Sequence, residues 1–479
     1  MRLWAAAVAV ALSTGSSASA AGPTGTWRGT FALPASAGAV TMSVELRGTS
    51  ATVVLGAGHP VRTVGRVTRR GVQVAFAVPG RPTPLRFTGR VRGRTLGGTV
   101  SQGQLRGSFR LRRGAPLAAR SVGLYALADG GSLAVAENSA AGRTALLLDG
   151  GEVRKLTLRG AGRYEVGAGF AVRASAAGEL RFSGTSVSGR FGAVDVSATR
   201  VPLRQEEIRF RGPAGWLAGT LTLPPGAGPH PAVAFAHGAG ASRRDLLSTF
   251  ALFLARHGVA TLALDKRGIG QSTGVWPGES AAPSAIDAYA RDLEAAARFL
   301  AAQSDVDRTR VGVAGGSQAG WIMPLAASRE PAVRFVVGLV PPTISQGQTD
   351  AWANRTGQGA SLPDEPLETI EADVRAMGAV GFDPLPAIRA LRVPALWLFG
   401  GQDKTVPTRL CVEALAPLAA EPGRDFGYVV FPGGGHGLLE TANGLADEAA
   451  RSSRFVPGLW TTMRDWLRAR GLTGAPAAG

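Results

Sequence analysis

The sequence predicts an α/β domain, a mostly parallel sheet with helices on both faces, preceded by a β-rich N-terminal part. Three observations predict it. From about residue 206 onward, apolar runs such as "PAVAFAHG", "VATLALD", "RVGVAG" and "PALWLFG" alternate with helix-length stretches. Strands that are apolar on both faces belong to a parallel sheet buried between helices. Upstream, short strand-like runs follow one another across Gly, Pro and Asp-Gly breaks. Finally, 479 residues exceed what one core organises, so two or three domains are expected.

The chain opens on "MRLWAAAVAVALSTGSSASAAG", with Arg2, an apolar run from Leu3 to Leu12, and Ala18-Ser19-Ala20 before Ala21. This pattern reads as a secretory signal peptide over residues 1–20, because the run is too short to span a bilayer. The expected location is secreted or periplasmic. No later stretch offers the roughly 20 apolar residues of a membrane helix, so no transmembrane segment is expected. Cys411 is the single cysteine, which excludes an internal disulfide.

Residues 21–119 form a first β-rich module. "TMSVEL", "ATVVL", "GVQVAFAV" and "LRFTGRVRGRTLGGTV" predict an antiparallel meander or small barrel. Its charge is peculiar. Residues 22–119 hold fifteen arginines against one acid, Glu45, a balance of +14 in a chain of net charge +18. Residues 120–479 hold 36 basic and 33 acidic residues, only +3. Arg86, Arg90, Arg92 and Arg94 share one parity, opposite Phe87 and Val91, which puts them on one sheet face. Such a field draws polyanions. In an exported protein the expected partner is an anionic envelope surface, and no nucleic acid is expected.

Residues 120–203 form a second β-rich module of strand pairs such as "GLYALADGGSLAVAEN". The sequence leaves open whether the two modules are one domain or two. The α/β domain then occupies 204–473, opening on the hairpin "EEIRFRGPAGWLAGTLTLPPG". An insertion at about 343–393, with the helical stretch "LETIEADVRAMG", reads as a lid. Trp352, Leu362, Met377 and Phe382 in it either line an acyl pocket or pack the lid on the core.

The chemistry concentrates in "VAGGSQAGW". Ser317 follows a buried strand and opens a helix, the setting of a nucleophile held on a strained turn. Small neighbours are needed because strand and helix backbones approach closely there. The usual pattern is Gly-x-Ser-x-Gly; here Ala319 takes the fifth position. A serine hydroxyl needs a base. Of the five histidines, His59 lies in the first β module, while His230 precedes a strand and His257 ends a helix. His436, in the Gly-rich loop of "YVVFPGGGHGLL", emerges at the same carboxyl edge as Ser317. Asp403 in "PALWLFGGQDKTVP" is the candidate orienting acid, with Asp265 and Asp383 as rivals. The next backbone N–H, from Gln318, and that of Ala239 beside Gly238 in "AFAHGAGASRRD" are the candidate oxyanion donors.

Residues of about 206–470 resemble the α/β-hydrolase superfamily, closest to bacterial serine esterases and the dienelactone-hydrolase and prolyl-oligopeptidase-like branch. "GTLTLPPGAGPHPAVAFAHGAG", "LDKRGIGQSTG", "GGSQAGW" and "GGGHG" carry the resemblance. It implies an α/β-hydrolase fold and acyl transfer through an acyl-enzyme on Ser317. The expected function is a secreted serine hydrolase that cleaves a small-molecule carboxylic ester. The alternatives are an exopeptidase or amidase of the same fold, with Glu365, Glu368 and Glu371 to hold an amino terminus, or a non-catalytic envelope-binding protein. The sequence has no HExxH, no paired cysteines, no dinucleotide fingerprint and no P-loop lysine, so neither metal nor cofactor is expected.

Overall fold

A computed structural model describes residues 84–113, 121–138, 141–160, 162–172, 175–278 and 282–474, with the strands that lie between Gly25 and Val78. The expected leader and His59 fall outside the described residues. The chain divides into two compact units, Met1–Ala115 and Pro116–Gly479.

The first unit is an antiparallel meander of nine strands. Its centre pairs Gly25–Ala32 with Leu105–Arg113, followed by Thr95–Gln102 and Leu85–Arg92. The edge strands Val61–Val64 and Arg66–Val67 are separated by one residue of chain, so the sheet curls until its two edges adjoin. Alternation sets the core. Trp27, Phe31, Phe87, Leu96, Phe109 and Leu111 turn inward and are buried, while the intervening arginines face out.

The second unit begins with a closed barrel of eight strands, from Gly123–Leu127 to Val194–Arg200, sealed by pairing Tyr125 with Arg200. Leu133, Val135, Tyr164, Leu180 and Phe191 fill its interior.

The barrel continues into an eight-stranded sheet. Its order is Arg204–Gly212, Gly215–Leu223, Ala260–Leu264, His230–Ala236, Val306–Gly316, Val336–Leu339, Ala395–Gly400 and Phe426–Phe431. The first three strands pair antiparallel with one another, and the pairs from Ala260–Leu264 to Phe426–Phe431 are parallel. The chain turns from one side of His230–Ala236 to the other, which opens a crevice beyond the carboxyl ends of that strand and of Val306–Gly316. Helices Ser248–Arg256, Pro283–Ala301, Ala319–Arg329 and Leu459–Ala469 cover the sheet. The insertion folds as the helices Gln346–Arg355, Leu367–Ala376 and Leu385–Ala390.

The barrel shares a core with this sheet domain. Leu124, Ala134, Leu146 and Val153 pack with Leu252, Phe253, Phe455 and Trp460. Backbone bonds join the two as well: Phe455 N–H donates to Gly151 (2.9 Å), Val153 N–H to Ser453 (2.8 Å) and Phe170 N–H to Ser452 (2.7 Å). The two β modules are therefore distinct bodies, and the second is built into the α/β unit.

Candidate active site

Ser317 stands between the end of Val306–Gly316 and the start of Ala319–Arg329 with a φ of 55°. A side chain in that left-handed region costs on the order of 1–3 kcal/mol and persists only when its surroundings fix it. Ser317 N–H donates to Leu339 (3.0 Å), and Gly320 N–H donates to the Ser317 carbonyl (2.7 Å). Glycine is needed at 315, because a Cβ there would lie 2.4 Å from the Ala236 carbonyl and 2.6 Å from Ala319 Cβ. That same gap is why alanine fits at 319.

His436 Nε2 lies 3.1 Å from Ser317 Oγ, and His436 Nδ1 lies 2.8 Å from Asp403 Oδ2. The Asp403 side chain is fully buried, whereas that of His436 is 33% exposed. Asp403 Oδ1 accepts from the N–H groups of Thr405 (2.7 Å) and Val406 (2.8 Å), which aims the other oxygen at the imidazole. Burial pushes the His436 pKa down, but the charge of Asp403 and its hydrogen bond outweigh burial and leave it raised.

The rival acids are committed elsewhere. Asp265 accepts from Arg244 Nη2 (2.8 Å), Arg244 N–H (3.0 Å) and Gln271 N–H (2.8 Å). Asp383 caps the N–H of Leu385 at 3.0 Å. Among the described residues, no histidine but His436 makes a hydrogen bond to Ser317. Burial holds His237 at a pKa of about 4, with its Nε2 2.5 Å from the Leu264 carbonyl. Burial lowers His257 to about 4 as well, and its ring packs edge-on against Phe253.

Gly238 abuts the serine: a Cβ on it would come 3.2 Å from Ser317 Cβ and 3.8 Å from its Oγ. Gln318 is buried and Ala239 is exposed. Neither of their N–H groups enters a hydrogen bond among the described residues. A residue that the motif reading missed ties these pieces together. Lys266 is buried and donates to the carbonyls of Gly238 (2.6 Å) and Gly240 (3.2 Å) and to Gln318 Oε1 (3.1 Å). The available signal was its rarity, since only Lys155, Lys266 and Lys404 break the arginine usage of this chain. One compact ammonium can serve three converging acceptors, whereas the planar guanidinium fork cannot.

The four candidate pocket residues separate. Trp352 is buried in the main core and Phe382 packs against that core. Leu362 and Met377 are 57% and 46% exposed, so as placed neither forms the wall of a closed acyl pocket. Helical periodicity identifies a face, but not what covers it, which is why the sequence could not sort these four. Trp352 borders an open cleft of about 460 Å³ that also touches Asp403, Lys404, Glu371 and Val430.

Residues 233–448 match the model of the "Alpha/beta hydrolase family". An uncharacterized protein of Mycobacterium tuberculosis is 32% identical over 218 residues, 45% of this chain and 66% of that protein. The chain thus spans just under two thirds of the length of that relative. A Methylorubrum extorquens protein that carries the name carboxymethylenebutenolidase is 25% identical over 184 residues, 38% of this chain and 50% of its own. Among solved structures, a puromycin hydrolase aligns over 95% of this chain and 80% of its own at 18% identity, with a TM-score of 0.43. Residues 233–448, which carry Ser317, Asp403 and His436, match the alpha/beta hydrolase family, and with the parallel sheet and the serine turn in place that domain has the α/β-hydrolase fold.

Proposed function

We propose that this hydrolase cleaves carboxylic esters through an acyl-enzyme on Ser317. One observation carries the reading: the unbroken line from Ser317 Oγ to His436 (3.1 Å) and on to buried Asp403 (2.8 Å). His436 Nε2 takes the hydroxyl proton as Oγ attacks the carbonyl carbon, and Asp403 stabilises the imidazolium. The tetrahedral oxygen faces the N–H groups of Gln318 and Ala239. As the C–O bond breaks, His436 returns the proton to the leaving alcohol. Water then repeats the sequence on the acyl-enzyme and frees Ser317.

An ester fits better than a peptide with a free amino terminus. Glu365 is paired with Arg355 and Glu371 with Arg409, so those carboxylates are already matched by cations. Export to the envelope is part of the same proposal, and N-terminal sequencing of the mature protein tests it. Labelling with a fluorophosphonate, with and without Ser317→Ala, separates a catalyst from a binding protein. A panel of acyl esters and aminoacyl amides then separates esterase from peptidase. Faster turnover of the amides would overturn the ester assignment.

A further inference from the structure

We infer that the first unit carries a binding groove for a linear acidic polysaccharide of the polyuronate type. The groove lies on the outer face of Leu85–Arg92 and Thr95–Gln102, holds about 470 Å³, and is lined by Thr88, Arg90, Arg92, Thr95, Gly97 and Thr99. The next strand, Leu105–Arg113, runs alongside Thr95–Gln102. Register places Arg90 beside Gly97 and Gly97 beside Arg110. Two strand spacings therefore put Arg90 and Arg110 about 10 Å apart across Gly97, the one point between them where the floor has no side chain. Arg92 and Arg112 flank Thr95 in the same way, and Arg86 and Arg106 flank Ser101.

These six arginines are all exposed, and none is paired with an acid among the described residues. Glu45 is the single acid within 22–119. The repulsion among them is relieved by an anion that runs along the trough. Its chemistry is restricted. Phe87 and Phe109 face the interior, so this face offers no aromatic platform for bases. It also offers no apolar wedge for a bilayer, since hydroxyls and glycine fill the space between the arginines. A chain with one carboxylate per sugar, hydroxyls between, and the width of a single strand matches guanidinium walls around a threonine-lined floor. This inference does not rest on the role of Ser317.

The experiment uses the full chain, with polygalacturonate as probe and neutral dextran, phosphatidylglycerol vesicles and oligothymidylate as competitors in a salt series. Polygalacturonate should bind at low salt and be released as salt rises. The pair Arg90→Ser with Arg110→Ser should weaken binding by roughly tenfold or more, because two contacts are removed. Gly97→Glu should abolish it. A Cβ at 97 meets only the Phe109 carbonyl, at 3.4 Å, so that variant fills the groove without disturbing the sheet. Hydrolysis of a small soluble ester should be unchanged in both. Variants that bind like the parent, binding indifferent to salt, or tighter binding to vesicles or oligothymidylate would overturn the assignment.

Discussion

Ser317→Ala replaces one hydroxyl by hydrogen on a turn whose backbone bonds remain, so it should end turnover and leave the melting temperature nearly unchanged. Asp403→Asn should cost on the order of 10⁴ in kcat if the three groups act as in a serine protease, while Asp265→Asn should act through stability instead. The pH profile follows from His436. The base must be neutral, and Asp403 holds its pKa above the ordinary 6.5, so the acidic limb of kcat/KM should lie above that value. The same sign applies to stability. The protonated pair contributes below the unfolded pKa, and that contribution is lost as pH rises through the raised one. Lys266→Met should lower kcat by roughly 10²-fold or more with KM little changed, because the Gly238 carbonyl and Gln318 lose the donor that fixes them. Equal kcat in that variant, with an unaltered melting temperature, would remove Lys266 from the positioning of the oxyanion donors.

At the scale of elements, the loop that carries His436 is not held by its own strand alone. Val456 N–H donates to Leu438 (2.9 Å), Glu440 N–H to Arg454 (2.9 Å) and Phe455 N–H to Gly151 of the barrel (2.9 Å). The barrel turn at Gly151, the segment 450–456 and the His436 loop are thus joined by backbone bonds. Gly169 sits against that segment, where a Cβ would lie 2.2 Å from the Arg451 carbonyl. Gly169→Ala should therefore displace 450–456 and reduce kcat although it lies outside the hydrolase domain. Activity equal to the parent would show that the loop is fixed without the barrel. Helix Ser248–Arg256 ends beside His257, whose folded pKa of about 4 lies below its unfolded value. Stability from that buried neutral ring is present above pH 6.5 and lost as pH falls towards 4. His257→Gln should flatten the acid side of the melting curve, which thermal scans from pH 7 to 4 would read.

For the whole molecule, the two units predict opposite results on truncation. The core of the first unit is its own, from Trp27 to Leu111, so residues 116–479 should fold and hydrolyse small esters without it. Removing 121–203 should abolish folding, because Phe253, Phe455 and Trp460 would lose the barrel residues they pack against. Each large apolar side chain returned to water costs about 1.5–3 kcal/mol, and three of them rival the stability of a domain. Expression of the two truncations, followed by circular dichroism and an ester assay, distinguishes these outcomes.

The sequence by itself determined the local parts. Apolar runs against helix-length stretches fixed the parallel sheet, the small residues around Ser317 marked its turn, and "GGGHG" after the last strand singled out His436. These are short-range patterns, written in the period of a strand or the sterics of one turn. Arginine parity likewise placed Arg86, Arg90 and Arg92 on one face before any strand was paired, whereas Arg94, expected on the same face, falls in the turn that follows Leu85–Arg92 because Gly93 ends the strand. Tertiary structure alone decided what those faces meet. It put Asp403, and not Asp265, beside His436, because Arg244 reaches one carboxylate and His436 the other. Only the fold brought Lys266 to Gly238 and Gln318, 28 and 52 residues away. It turned Leu362 and Met377 outward and built the eight-stranded barrel into the core of the α/β domain. Contacts between residues distant in sequence carry no local periodicity, so nothing in the chain's pattern announces them; they exist when burial and hydrogen bonding repay the entropy of closing the chain.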